Sequence, residues 1–185
     1  MNAPDSPFAS RLVQARYYSP SHRSSWSIVV VHDMEAERST RTAENLGEWW
    51  HGPSASHASA HYGVDTDSIV QYVNERDIAW AAGHTANQRG IHIEVQGFAR
   101  DDAAAWFADQ ATGRAALLVR DVCDRRCIPM VWLDAAALLR GERGITSHAE
   151  CSRAWRESDH TDPGAAFPIE AFMGLVRPLG WTPEA

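Results

Sequence analysis

Seven residues near the start of the chain, Trp26-Ser-Ile-Val-Val-Val-His32, constrain the fold more than any others. A near-continuous β-branched run of this kind reads as a central strand buried on both faces. Such a strand needs helices on both sides, so the remaining segments must supply them. His32 ends the run and is followed by Asp33, Met34 and Glu35. A histidine there is either a capped, satisfied residue or a functional group beyond a strand end, where α/β folds place their chemistry.

The other segments fit that frame. Ser39 or Thr40 is positioned to cap a helix that runs to about His51. Ala43, Leu46 and Trp50 lie on its inner face with Trp49 beside them, and Gly52-Pro53 stops it. Residues 60–65 and 68–73 read as two strands joined by a turn at Thr66-Asp67. The segment 90–97 alternates strictly, with Ile91, Ile93 and Val95 on one face and His92, Glu94 and Gln96 on the other. Glu is poorly suited to mid-strand. Either this is a solvent-facing edge strand, or its polar face lines a cleft. Asp101-Asp102 is expected to cap the longest helix, running to about Arg126, with Phe107, Ala111, Ala115, Leu118 and Val122 as its buried stripe. A short strand is expected at 128–132, a helix from Asp134 to Leu139, and a last helix from Ile169 to Val176. The expectation is a single α/β domain with a central mixed β-sheet flanked by helices. Residues 1–25 read as an N-terminal arm or a short strand plus loop, 26–178 as the domain, and 179–185 as a tail.

The segment from Gly144 to Pro168 shows little periodicity but holds His148, His160 and Asp162. Asp162-Pro163-Gly164 is a turn signature that fixes the direction of the carboxylate before it. A histidine and a carboxylate held by loops in this way suggest metal ligands awaiting a third from elsewhere. The competing reading is chance proximity in a chain with nine histidines.

Charge and cysteines narrow the class. A formal net charge of −7, with no basic run, argues against a nucleic-acid partner. No window is apolar for long enough to span a bilayer, and the first residues lack the apolar core of a secretory signal. The expectation is synthesis in a cytosol and no membrane insertion. Three cysteines, Cys123, Cys127 and Cys151, read as reduced thiols. Cys123 and Cys127 with His148 and Cys151 form a rival structural-zinc arrangement, though the spacing is not a common one.

Several phrases together resemble a known family: VVVHDME ending at Glu35, the run from Ser54 to Val73, DIAWAAG at 77–83, GIHIEVQG at 90–97, and TSHAECS followed by SDHTDPGAAFP to Pro168. Over roughly residues 26–176 they are similar, in order, to the type 2 zinc-dependent N-acetylmuramoyl-L-alanine amidases, relatives of the peptidoglycan-recognition proteins. The RGERGIT segment with HTDPG is most like endolysins of phages that infect actinobacteria. The resemblance implies one Zn2+ held by His32, His148 and Asp162, a set that leaves a fourth position for water. It implies Glu94 as general base and His160 as the donor to the oxyanion, where many members have Lys. It further implies peptidoglycan as substrate and partner, with the bacterial cell wall as the site of action. Ala81 stands where relatives often have His. Trp80, Tyr62 and the loop at 83–89 with His84 are either groove walls or plain core. His61 reads as packed near the site, and His51, His57 and His92 as surface residues or as supports of the ligands. The rival class is a module of the same fold that binds peptidoglycan without cutting it. The chain is expected to be a monomer.

Overall fold

The computed structural model describes residues 3–180, so most of the expected tail lies outside the described residues. The sheet is mixed and has six strands: β1 (Arg11–Leu12), β3 (Ile28–Asp33), β4 (Tyr62–Val64), β5 (Ile69–Gln71), β7 (Gly90–Val95) and β8 (Gly144–Ser147), in the order β1-β5-β4-β7-β3-β8. Two more short strands, β2 (Tyr18–Ser19) and β6 (Ile78–Ala79), form a separate antiparallel pair. Among the described residues there are six α-helices: α1 (Thr42–His51), α2 (His84–Arg89), α3 (Ala111–Arg126), α4 (Ala135–Leu139), α5 (His148–Trp155) and α6 (Ile169–Val176).

The β-branched run is the buried strand β3, with every residue from Ile28 to Asp33 buried. It pairs in parallel with β7 on one side and β8 on the other. This arrangement puts the C-terminal ends of three parallel strands side by side. The two faces of the sheet differ. Val29, Val31, Tyr62, Ile91, Ile93 and Val95 face α3 and α6 and form the larger core with Trp106, Leu118 and Phe172. On the opposite face the cover is divided. One cluster carries Ala43, Trp50 and Tyr72 from the α1 side. Another carries Val30, Leu133, Leu138 and Cys151 from the side of α4 and α5. The gap between these two covers is the site described below.

Local chemistry explains most element ends. The β4–β5 hairpin is closed by Asp65, whose Oδ1 accepts from the backbone N–H of Ser68 at 2.8 Å, while its Oδ2 accepts from Ala43 N at the start of α1. One buried side chain thus fixes a turn and the entry to a helix. Ser39 does not cap α1 directly. Its Oγ accepts from Arg41 N and lies 2.8 Å from Thr42 Oγ1, and the helix begins at Thr42.

Of the two readings of residues 1–25, short strands joined by loop describe them: β1 pairs with β5, and β2 with β6. Several other expectations need correction. The long helix starts at Ala111, nine residues beyond Asp102. Asp102 caps only a 3-10 turn (Ala105–Phe107), through a 2.8 Å bond from Ala105 N. Phe107 is therefore exposed, and Trp106 is the buried aromatic. The segment 128–132 gives one bridge, Trp132 to Ile145, instead of a strand. The segment from Gly144 to Pro168 is not all loop. It contains β8 and α5, and Ser147 caps α5 by accepting from Glu150 N. A four-residue strand followed by an eight-residue helix is too short for either period to stand out in the sequence. Phe167 does pin the segment, packing edge-on against Trp106 with ring centroids 5.1 Å apart.

Candidate functional site

Strand register builds the site. His32 is the cross-strand partner of Glu94, so both side chains leave the same face of neighbouring strands. Val31 pairs with Ser147, which places His148, the first residue of α5, beside His32. Asp162 arrives from the turn beyond α5, and its carbonyl accepts from Ala149 N at 2.9 Å. Gly164 holds that turn against the chain opposite. Its φ is +95°, and a Cβ there would sit 2.0 Å from the Ala99 carbonyl oxygen, so no other residue fits.

His32, His148 and Asp162 converge. One donor atom from each lies within 4.8 Å of the other two, and all three residues are buried. His32 Nδ1 is 3.0 Å from Asp162 Oδ2, and His148 Nδ1 is 3.0 Å from Asp162 Oδ1. Oδ1 is buried yet has no partner in hydrogen-bonding geometry. Two imidazole nitrogens and an under-satisfied carboxylate oxygen therefore aim into one small volume, as a metal-ligand set does. The far nitrogens are also held: His32 Nε2 lies 3.0 Å from His92 Nδ1, and His148 Nε2 lies 2.9 Å from Ser158 Oγ. Ligating histidines are usually fixed in this way through the second nitrogen.

The electrostatics are those of carboxyl and imidazole groups held close together and largely out of water. Burial would raise the Asp162 carboxyl, but the His148 and His32 imidazoles outweigh it and hold the group well below the usual carboxylate range. Burial, with Asp162 and Asp33 nearby, pushes Glu94 well above its ordinary value. Asp33 is pushed up to about 7, mainly by burial, against the bond it accepts from Glu35 N. Burial lowers His148 and depresses His92 strongly.

These groups open onto a cavity of about 530 Å3 whose walls include Glu94, Trp49, Trp50, Trp80, Asp33 and His160. His160 is 65% exposed, stacks on the His148 ring at 4.6 Å and lies 3.5 Å from Asp162 Oδ1. Trp80 is 37% exposed and sits at the rim, its indole N–H donated to Ser19 Oγ.

The structure therefore brings together His32, His148, Asp162, Glu94, His160 and Trp80. It does not bring Tyr62 or His84 to the cavity. Tyr62 is in register with Ile93, so it points to the opposite face from Glu94, where it is wholly buried and donates to Glu75. His84 opens α2, is exposed, and lies outside the cavity walls. Glu94 is in a central strand and lines the cleft, while His92 and Gln96 on the same face are buried away from its walls. The rival cysteine site is absent among the described residues. Cys123 and Cys151 belong to cores on opposite faces of the sheet, and Cys127 is exposed. Sequence reasoning did not find Asp33, Trp49 or Ser158 as parts of the site. A carboxylate one residue past His32, at the end of a buried strand, was a readable signal. Ser158 left none.

A mixed sheet with a buried His-His-Asp group near the ends of its parallel strands, beside a glutamate and opening to a cleft, defines a single-domain α/β protein whose three converging side chains could hold a metal ion. Residues 22–165 match the family N-acetylmuramoyl-L-alanine amidase, Amidase_2, and the chain belongs to that family. Solved structures share the fold. The Staphylococcus aureus hydrolase AmiA, in complex with its ligand, is 19% identical with a TM-score of 0.69, covering 95% of this chain and 83% of that one. A selenomethionine AmpD derivative is 22% identical with a TM-score of 0.67, covering 96% and 100%. The N-acetylmuramoyl-L-alanine amidase LysC from Clostridium intestinale is 15% identical with a TM-score of 0.54, covering 88% and 95%. No curated protein sequence matches significantly.

Proposed function

We propose that the protein hydrolyses the amide between the lactyl group of N-acetylmuramic acid and L-alanine in peptidoglycan, as a zinc enzyme, and that it is the catalytic domain of a phage endolysin acting on the bacterial cell wall. The observation that carries the catalytic reading is the convergence of His32, His148 and Asp162 beside a glutamate that no side chain partners. Residues 22–165 supply the family, and the endolysin origin rests on the resemblance carried by RGERGIT and HTDPG.

The donor set fits Zn2+: two imidazole Nδ1 atoms and one carboxylate oxygen, leaving a position open. Zinc held there supplies Lewis-acid polarisation of the scissile carbonyl and eases ionisation of water. The chain's own residues do the rest. A histidine ligating through Nδ1 carries its proton on Nε2, so His32 donates to His92 and His148 donates to Ser158. Those bonds fix the ring planes. Glu94 takes the proton from the attacking water and returns it to the leaving amine. Its raised pKa suits a group that must both accept and give. His160 reaches over the same volume from the exposed side and donates to the developing oxyanion. Trp80 and Trp49 wall the groove for the substrate. A recognition module that only binds has no use for a half-buried glutamate of raised pKa beside a His-His-Asp group able to hold a metal.

Mass analysis of products from defined muropeptides tests the reading. The expected products are a free lactyl carboxylate on the sugar and a peptide with a new L-alanine amino terminus. Formation stops with a chelator and resumes with added zinc. Binding without any new amino terminus would return the protein to the recognition-module class.

A further inference from the structure

Trp80 stands on the rim of the cleft and is held twice over. Its backbone is fixed by Ser59, a buried residue of the same wall. Ser59 N donates to the Trp80 carbonyl at 3.1 Å, and Trp80 N donates to Ser59 Oγ at 3.1 Å. Its side chain is fixed by the N-terminal arm. β2 pairs antiparallel with β6, placing Tyr18 opposite Ala79 and Ser19 opposite Ile78. That register brings the arm alongside Trp80, the residue after β6. The indole N–H is donated to Ser19 Oγ at 2.9 Å, and the Tyr17 ring stacks on the indole with centroids 6.1 Å apart and 28° between the planes. Tyr17 also meets the His57 ring at 4.3 Å.

These contacts serve an exposed residue. Trp80 is not part of the hydrophobic clusters that cover the sheet. It lines the cavity with Ser56, Ala58 and Ser59, whereas Tyr17 and Ser19 are not among the walls. An indole this exposed and left to itself would sample several rotamers and lose that freedom when a ligand arrives. Here the bond and the stack impose the order beforehand. With its N–H spent on Ser19, Trp80 offers the cleft a ring face and no hydrogen-bond donor.

We infer that Tyr17 and Ser19 are positioning residues for substrate binding. They hold the Trp80 ring as a preformed wall, so the N-terminal arm acts on substrate affinity without lining the cleft. The inference rests on the amidase reading, in which Trp80 walls the groove. The family match begins at residue 22, so neither residue belongs to the segment that assigns the family.

The test is a double-mutant cycle on zinc-loaded protein with a soluble muropeptide, reading kcat and KM separately. Tyr17→Leu with Ser19→Ala should raise KM about two- to tenfold, the scale for ordering one side chain on binding, with kcat within about twofold of the parent. Ser19→Thr, which keeps the hydroxyl acceptor, should retain the parent KM. In Trp80→Ala, where KM is already raised, the arm substitutions should add nothing. The same rise in both backgrounds would overturn the inference, as would a parent-like KM in the arm variant or a loss confined to kcat. If the paired arm variant does not fold, Ser19→Ala alone carries the same comparison. A parent that cuts no muropeptide would overturn the amidase reading instead, and the cycle read as dissociation constants for that muropeptide would then decide the role of the arm. No binding of the muropeptide at all would overturn both.

Discussion

Two glutamates, 19 positions apart, one buried and one half-buried, have opposite surroundings. Glu75 is fully buried, and its carboxylate is saturated: Arg125 grips it with two bonds of 2.8 and 2.9 Å, Arg126 Nη2 lies 2.5 Å from Oε2, and Tyr62 donates at 2.7 Å. Burial would raise its pKa, but Arg125 and its neighbours outweigh that and lower it. Glu94 sits on the opposite face of the sheet with no arginine beside it, and its pKa is raised. A fold that needs a buried carboxylate for architecture surrounds it with donors. One that leaves a carboxylate unpaired in a strand accepts a cost that only another use explains. Glu75 ties α3 to the β4–β5 side of the sheet, whereas Glu94 has only the cavity to act on.

The difference is breakable, beginning with the largest expected effect. Asp162→Ala removes the shared partner of both ligand histidines. Zinc binding should fall below detection, with hydrolysis at background, while the far-ultraviolet circular dichroism stays that of the parent. Retained zinc in this variant would refute the ligand set. His160→Ala should lower kcat by roughly 10²–10³ with a smaller change in KM, the scale for losing one oxyanion donor. An unchanged kcat would leave His160 as a stacking residue on His148. Glu75→Ala should act on the other side of the comparison. It strands two partly exposed arginines and should cost about 3 kcal/mol in denaturant unfolding, the lower end of the range for breaking a buried ion pair. Activity per folded molecule should stay within a few-fold of the parent. Because folding lowers the Glu75 pKa, its contribution is complete above about pH 5 and is lost as pH falls through the depressed value. Acid unfolding of Glu75→Ala should therefore depend less steeply on pH than that of the parent below pH 5. A parent-like slope would assign the acid sensitivity to other carboxylates.

How much was legible follows the same division. The β-branched run at 26–32, the alternation at 90–97 and the turn at Asp162-Pro163-Gly164 are local patterns; the first two led to their strands and the third to a carboxylate that meets His32 and His148. The set of His32, His148 and Asp162 was readable only with the family resemblance, since 130 positions separate the two ends and register alone joins them. Tyr62 misled because a tyrosine in the right phrase says nothing about its face. Only its pairing with Ile93 places it in the core. The start of α3 at Ala111 instead of Asp102 reflects a 3-10 turn whose own cap looks like a helix cap in sequence. Residues 1–25 showed no periodicity because their strands are two residues long and exist only by pairing with β5 and β6.

The central claim is that Glu94 stands unpaired because it works as a base and not as a ligand or a structural anchor. Parent protein and Glu94→Gln, titrated with zinc and then given the same muropeptide, measure this directly. The account predicts one zinc per chain in both proteins, thermal unfolding of the variant no lower than that of the parent, and turnover reduced by about 10²–10⁴ in the variant alone. Near-parental turnover by zinc-loaded Glu94→Gln, or a variant that no longer holds zinc, would contradict it.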